Sequence, residues 1–173
     1  MSGHAQTITL GGGCFWCTEA VFKEVRGIVD VESGYANGRI AQPSYEEVCT
    51  GQTGCNEVVQ LRFDPALITV QEVLEIFFLI HDPTTLNRQG NDIGRQYRSA
   101  IFYHSEAQQK IAEASKAAAA KNFKDPIVTE ITKSAEFYRA PDGHQDYYFQ
   151  NKSKNPYCRF VIEPKLKKLK LDH

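Results

Sequence analysis

The chain has 173 residues, enough for one domain with a full core. Its apolar fraction of 42% and charged fraction of 24% are those of an ordinary globular protein. Twenty basic against twenty-one acidic side chains leave a net charge of -1, which argues against a phosphate-driven nucleic-acid binder. No apolar run reaches the ~18 residues of a membrane helix, and the longest candidate, Val73 to Ile80, is interrupted by Glu75. Met1 to His4 shows neither a charged segment nor a long apolar one, so no secretory signal is expected. The expectation is a cytoplasmic protein without nucleic-acid or membrane partners.

Thr7 to Leu10 alternates polar and apolar residues and predicts a strand, broken by Gly11-Gly12-Gly13. Cys14 to Val25 has approximate helical spacing at Phe15, Cys17, Val21 and Phe22 and is ended by Gly27. Ile28 to Ser33 predicts a second strand, followed by a turn-rich stretch from Gly34 to Ser44. Ser44 and Glu47 match a capping box for a short helix through Cys49. Val58 to Phe63 is a third strand, closed by Asp64-Pro65. Thr69 and Glu72 form a second capping box ahead of Val70, Val73, Leu74 and Phe77, an apolar stripe at i, i+3, i+4 and i+7. Asp82-Pro83 stops that helix. Ser99 to Tyr103 is a fourth strand, Ser105 and Gln108 cap an Ala-rich helix to about Lys121, and Ile127 to Ile131 is a fifth strand. From Lys133 on there is little periodicity beyond a short helix near His144 to Gln150. The order predicts an α+β domain, with a ferredoxin-like split β-α-β core, additional helices and a long irregular C-terminal segment over 133–173. Such a plan hosts many functions and does not by itself specify one.

The five cysteines are Cys14, Cys17, Cys49, Cys55 and Cys158, an odd number without an export signal, so reduced thiols are expected. Cys14 follows three glycines at the mouth of a helix, where free N–H groups and the helix dipole favour thiolate. The glycines let a substrate approach the sulfur without Cβ crowding. Phe15 and Trp16 beside it suit the walls of an apolar pocket. Two other readings compete: a thioredoxin-like Cys14-x-x-Cys17 redox pair, and half of a zinc site completed by Cys49 and Cys55. The Cys49–Cys55 spacing is wide for a metal knuckle, and no metal is expected. Glu57 opens an apolar strand, so its carboxyl is expected at a cavity edge, where desolvation raises its pKa and makes it a proton donor. Asn87 to Ser99 is a thirteen-residue polar loop of the kind that carries function. His144-Gln145-Asp146-Tyr147-Tyr148 and Pro156-Tyr157-Cys158 form a last His, Tyr and Cys cluster.

Five of these segments, in order, resemble the A-type peptide methionine sulfoxide reductases. They are Gly13-Cys14-Phe15-Trp16, the Gly-x-x-Glu of Gly54 to Glu57, His81-Asp82-Pro83-Thr84-Thr85, the Arg88 to Ser99 loop, and His144-Gln145-Asp146-Tyr147. The similarity spans about Ile8 to Cys158. The resemblance implies reduction of methionine S-sulfoxide, free or in proteins and peptides, in the repair of oxidised proteins under oxidative stress. It makes Cys14 the nucleophile and Glu57 the acid on the sulfoxide oxygen, aided by Tyr45 and Tyr97 with Asp92 in the same polar cluster. Phe15, Trp16, Tyr45, Tyr97, His144 and Tyr147 are the implied substrate residues, and thioredoxin is the implied reductant. The chemistry needs no metal or organic cofactor: Cys14 becomes a sulfenic acid, which condenses with a second thiol. Cys17, Cys55 and Cys158 compete for that role. Many relatives carry the resolving thiol late in the chain, which makes a Cys14–Cys158 disulfide the expectation, with the other two left open. Two positions depart from the family pattern: Cys55 stands where many members have His, and Cys17 where many have Gly. A non-catalytic ferredoxin-like binding module is the third reading, and it predicts no thiol-dependent turnover.

Overall fold

The computed structural model describes residues 5–13, 15–36, 56–89, 92–134, 137–140 and 145. Among them the chain forms β1 (Gln6–Gly11), α1 (Phe15–Lys23), β2 (Ile28–Ala36), β3 (Asn56–Phe63) and α2 (Val70–Ile80). Next come β4 (Arg88–Gln89), β5 (Asp92–Ile93), a 3-10 turn (Arg95–Tyr97) and β6 (Ala100–Tyr103). The series closes with α3 (Glu106–Ala119), a further 3-10 turn (Ala120–Asn122), β7 (Glu130–Lys133) and β8 (Phe137–Arg139). The architecture is α+β, with a mixed sheet in the order β7-β6-β1-β3-β2-β8 and a separate β4-β5 ribbon. Every pairing is antiparallel except the parallel β6–β7 edge.

Strand side chains alternate between faces, and the sheet uses both. Ile8, Leu10, Val59, Leu61, Phe63 and Ile101 join the main core with the helices. Val58, Ala100 and Phe102 cluster with Ala36 on the other side. The predicted α2 stripe is present: Val70, Val73, Leu74 and Phe77 are all buried. Its capping box is complete, with the Thr69 hydroxyl accepting from the Glu72 N–H and the Glu72 carboxylate accepting from the Thr69 N–H. In α3 only half of the box forms. Ser105 accepts from the Gln108 N–H, but the Gln108 side chain accepts from the His104 N–H and donates to the Thr7 carbonyl, tying α3 to β1.

Several elements differ from the sequence expectation. β2 runs past Ser33 to Ala36, because Gly34 and Tyr35 pair with Val58 and Glu57 on one side and with β8 on the other. Gly34 is there for close approach rather than as a breaker: a Cβ would run into the Phe137 ring and the Tyr138 carbonyl. β7 starts at Glu130 rather than Ile127. The residues before it are already engaged, Val128 N–H on the Pro83 carbonyl and the Thr129 carbonyl on Lys116 Nζ. The polar stretch from Asn87 to Ser99 is not a plain loop, since it holds the β4-β5 ribbon and a 3-10 turn. β8, three residues long, is too short to show a period, and the Arg139–Glu32 ion pair at 2.9 Å helps hold it on β2. The short helices expected at Ser44 to Cys49 and His144 to Gln150 lie outside the described residues.

Candidate active site

β1 leads directly into the glycine run, and α1 starts two residues after it. Each glycine meets a different neighbour. A Cβ on Gly11 would overlap Asn56 Nδ2; on Gly12 it would lie 2.9 Å from Phe77 Cε1 and 3.2 Å from His81 Cγ; on Gly13 it would lie 2.9 Å from Gln89 Cγ. Gly13 also has φ +91°, a conformation that disfavours a side chain. The glycines therefore answer to the protein's own packing, where the sequence suggested substrate access. The turn rests on three polar side chains that are themselves held. Asn56 donates to the Arg98 carbonyl at 3.0 Å. Gln89 accepts from the Asp82 N–H at 2.9 Å and donates back to the Asp82 carbonyl. His81 caps the end of α2 on the Phe77 carbonyl.

Glu57 lies in β3, opposite Tyr35 of β2, and is fully buried. Its Oε1 accepts the N–H of Phe15, the first residue of α1, at 3.3 Å. A carboxyl group thus occupies the N-terminal end of α1, where the helix dipole favours negative charge. Cys14 itself is outside the described residues, but the chain connects it directly to Gly13 and Phe15. Both of its neighbours are accounted for, one packed on Gln89 and the other bonded to Glu57.

Phe15 is buried in the main core, its ring 5.6 Å from Tyr35 and 6.3 Å from Trp16. Trp16 is only partly buried and packs on the edge of that core. Cys17 is buried in the core with Val21, as its helical spacing suggested. Tyr97 sits on the 3-10 turn, partly buried against the core, and that turn packs beside β3. The Asn56–Arg98 bond ties the start of β3 to the same loop, and Arg98 pairs with Glu130 at 3.1 Å. Asp92 is in β5, where its backbone pairs with Gln89; its side chain lies outside the description. Tyr45, Cys55, His144, Tyr147 and Cys158, and Cys49 of the zinc alternative, also lie outside the described residues. Among the described residues no group of three His, Cys, Asp or Glu side chains is placed to hold a metal, and no helix is long and apolar enough to cross a membrane. A groove of about 650 Å³ between α2 and α3, lined by Phe78, Leu79, Ile111 and Phe123 among others, shares no residue with this site.

Sequence reasoning singled out the segments that hold Asn56, His81 and Gln89 but gave these residues no role of their own, and it missed Tyr35. One signal was available: three consecutive glycines require something to pack closely against them.

The fold and site define an α+β enzyme with a buried acid at the mouth of the helix that follows Cys14. The family model described as peptide methionine sulfoxide reductase matches residues 6–173. A relative from Sulfolobus acidocaldarius, named peptide methionine sulfoxide reductase MsrA, is 57% identical over 163 residues, covering 94% of this chain and 92% of its own. The reduced form of Mxr1 from Saccharomyces cerevisiae superposes with a TM-score of 0.84 at 39% identity, covering 88% of each chain. A structure of Mxr1 in complex with Trx2 matches with a TM-score of 0.60 at 32% identity, covering 83% of this chain and 85% of that one. The chain belongs to the peptide methionine sulfoxide reductase family, A type, and is a methionine sulfoxide reductase.

Proposed function

We propose that this chain, as a single catalytic domain, reduces the S epimer of methionine sulfoxide, free or in oxidised proteins and peptides, by a thiol route beginning at Cys14. The Cys14 thiolate attacks the sulfoxide sulfur while Glu57 delivers a proton to the oxygen. A bond from Cys14 Sγ to the substrate sulfur forms as the S–O bond breaks and the protonated oxygen leaves as hydroxide. Hydroxide then adds to Cys14 Sγ, the bond to the substrate sulfur breaks with its electron pair returning to methionine, and Cys14 is left as a sulfenic acid. The Cys158 thiol then attacks the sulfenic sulfur, water departs, and a Cys14–Cys158 disulfide remains. A dithiol protein of the thioredoxin class reduces it by exchange, ending as its own disulfide. The Trx2 complex of the related Mxr1 supports that partner. No metal or organic group is needed to balance these steps.

The carrying observation is the fully buried Glu57 carboxyl on the Phe15 N–H, adjacent in the chain to Cys14. Burial disfavours the charged carboxylate, while the Phe15 N–H and the helix terminus favour it; the proposed step uses the protonated form as the one that meets the sulfoxide oxygen. Tyr45 and Tyr97 are the proposed hydrogen-bond donors to the oxygen, with Asp92 in their cluster. Trp16 and Phe15 form the methyl side of the pocket, with His144 and Tyr147 at the substrate. With methyl and oxygen on fixed sides of a pyramidal sulfur, one epimer is selected. We read the four central strands, in the order β6-β1-β3-β2, as the split β-α-β core, and the cytoplasm as the compartment.

The test is turnover of resolved methionine sulfoxide epimers with dithiothreitol. Wild-type protein should reduce the S epimer. Cys14→Ser should lose the reaction, because a serine hydroxyl is barely ionised at neutral pH. Single-turnover activity of Cys14→Ser above about a hundredth of wild type, or comparable reduction of the R epimer, would overturn the reading.

A further inference from the structure

His81 is buried at the C-terminal end of α2 and its ring is held on every side. Nδ1 lies 2.5 Å from the Phe77 carbonyl oxygen, which can only accept, so Nδ1 carries a hydrogen. Nε2 lies 2.7 Å from the Ser99 hydroxyl, and that hydroxyl is 2.7 Å from the Thr129 hydroxyl. The ring also packs on Phe77, with centroids 4.2 Å apart. Three parts of the fold therefore fix one imidazole: α2, the residue ahead of β6, and the residue ahead of β7. A helix cap alone would need only the Phe77 contact. The remaining restraints orient the ring, and what lies over it is the glycine run. A Cβ on Gly12 would sit 3.2 Å from His81 Cγ and 3.3 Å from Cδ2.

We propose that His81 is a positioning residue for the reaction: its locked imidazole is the floor under Gly12 that sets the turn carrying Cys14 relative to Glu57. The inference rests on the reading of Cys14 as nucleophile. Glu57 is fixed from the other side, through the Phe15 N–H and the β3 ladder. A turn with no floor keeps its thiol but loses the register between sulfur and acid. Misplacement of about 1 Å costs up to about 10²-fold in rate when two groups must act together.

Two reactions separate this role from a purely structural one. Sulfoxide reduction needs both Cys14 and Glu57 in place, whereas alkylation by iodoacetamide needs only the thiolate. With folding monitored by near-UV circular dichroism, His81→Ala should slow single-turnover sulfoxide reduction about tenfold and leave Cys14 alkylation within about twofold at the same pH. His81→Asn keeps an amide for the Phe77 carbonyl and planar atoms beneath Gly12, so it should return to within about threefold of wild type. If His81→Ala does not fold, Ser99→Ala and Thr129→Val leave the ring in place but loosen it. Each should then slow sulfoxide reduction about threefold with alkylation unchanged. Wild-type sulfoxide rates in the folded variants, or equal losses in both reactions, would overturn the proposal. Cys14→Ser is run alongside: if it turns over, the nucleophile reading has failed, whereas an inactive Cys14→Ser with full-rate His81→Ala defeats only the role of His81.

Discussion

Glu57 is the residue on which the most chemistry depends. Glu57→Gln keeps the size of the side chain and an oxygen for the Phe15 N–H but removes the transferable proton. Sulfenic acid formation should slow by about 10²-fold or more with the fold retained; a normal first turnover, followed by trapping of the sulfenic acid, would place the acid elsewhere, with Asp92 next. Gly11→Ala tests the packing of the turn. Its Cβ would overlap Asn56 and sit 3.2 Å from the Glu57 carbonyl, so something must shift. The expected loss is about 1–3 kcal/mol, measured by urea unfolding, together with a slower first turnover. His104 lies away from the site, with Nε2 3.0 Å from the Thr9 hydroxyl. Partial burial lowers its pKa below the ordinary 6.5. The unfolded chain therefore binds this proton more readily. The stability His104 contributes is present above about pH 6.5 and is lost as pH falls toward the folded value. The effect is small because the residue keeps solvent contact. His104→Gln should flatten the fall in Tm between about pH 7.5 and about pH 5; an unchanged slope would remove His104 from that dependence.

At the scale of elements, α2 supports both the core and the site. Its buried stripe anchors it against the sheet, and its last turn delivers His81 beneath Gly12. The helix end is thus as important as its face. At the other end, Thr69 and Glu72 satisfy each other's backbone N–H groups. Thr69→Ala removes half of that exchange and should cost about 1 kcal/mol. Because the site lies at the opposite end, the first-turnover rate at a temperature well below Tm should be unchanged. A large activity loss in a stably folded Thr69→Ala would mean that α2 moves as a unit against the glycine turn. The short ribbon does comparable work with little material: Gln89 bonds to the Asp82 main chain and packs on Gly13.

At the scale of the whole molecule, among the described residues after β8 the Gln145 amide bonds to the main chain of β2 and to Ala140. Gln145 accepts from the Ser33 N–H at 3.0 Å and donates to the Ser33 carbonyl at 2.7 Å and the Ala140 carbonyl at 2.9 Å. It extends the β2–β8 pairing with a side chain where a strand residue would otherwise sit. Gln145→Ala should speed hydrogen exchange at Ser33. If Cys158 resolves the sulfenic acid, thioredoxin-driven turnover should fall more than the first turnover does. The direct test of that thiol is Cys158→Ser, expected to release one methionine per chain and then stall with thioredoxin. Mass spectrometry of wild type after one turnover should find Cys14 joined to Cys158. A Cys14–Cys17 bond with normal turnover of Cys158→Ser would transfer the role, although Cys17 is buried in the core.

The sequence alone determined what local chemistry can write. Period-two alternation marked β1 and β3, and the 3.6-residue stripe with its capping box marked α2, because those patterns are set by neighbours within a few residues. Motif order carried the family, and with it Glu57. Only the tertiary structure decided what depends on partners distant in the chain. β2 continues through Gly34 and Tyr35 because β3 and β8 pair with them, and no local signal in a turn-rich stretch states that. Asn56 finds the Arg98 carbonyl 42 residues on, and Ser33 finds Gln145 at a separation of 112. The glycines read as an opening for substrate until Asn56, His81 and Gln89 are seen to fill the space. A missing Cβ shows in the sequence, whereas the group that occupies its volume is chosen only when the chain folds.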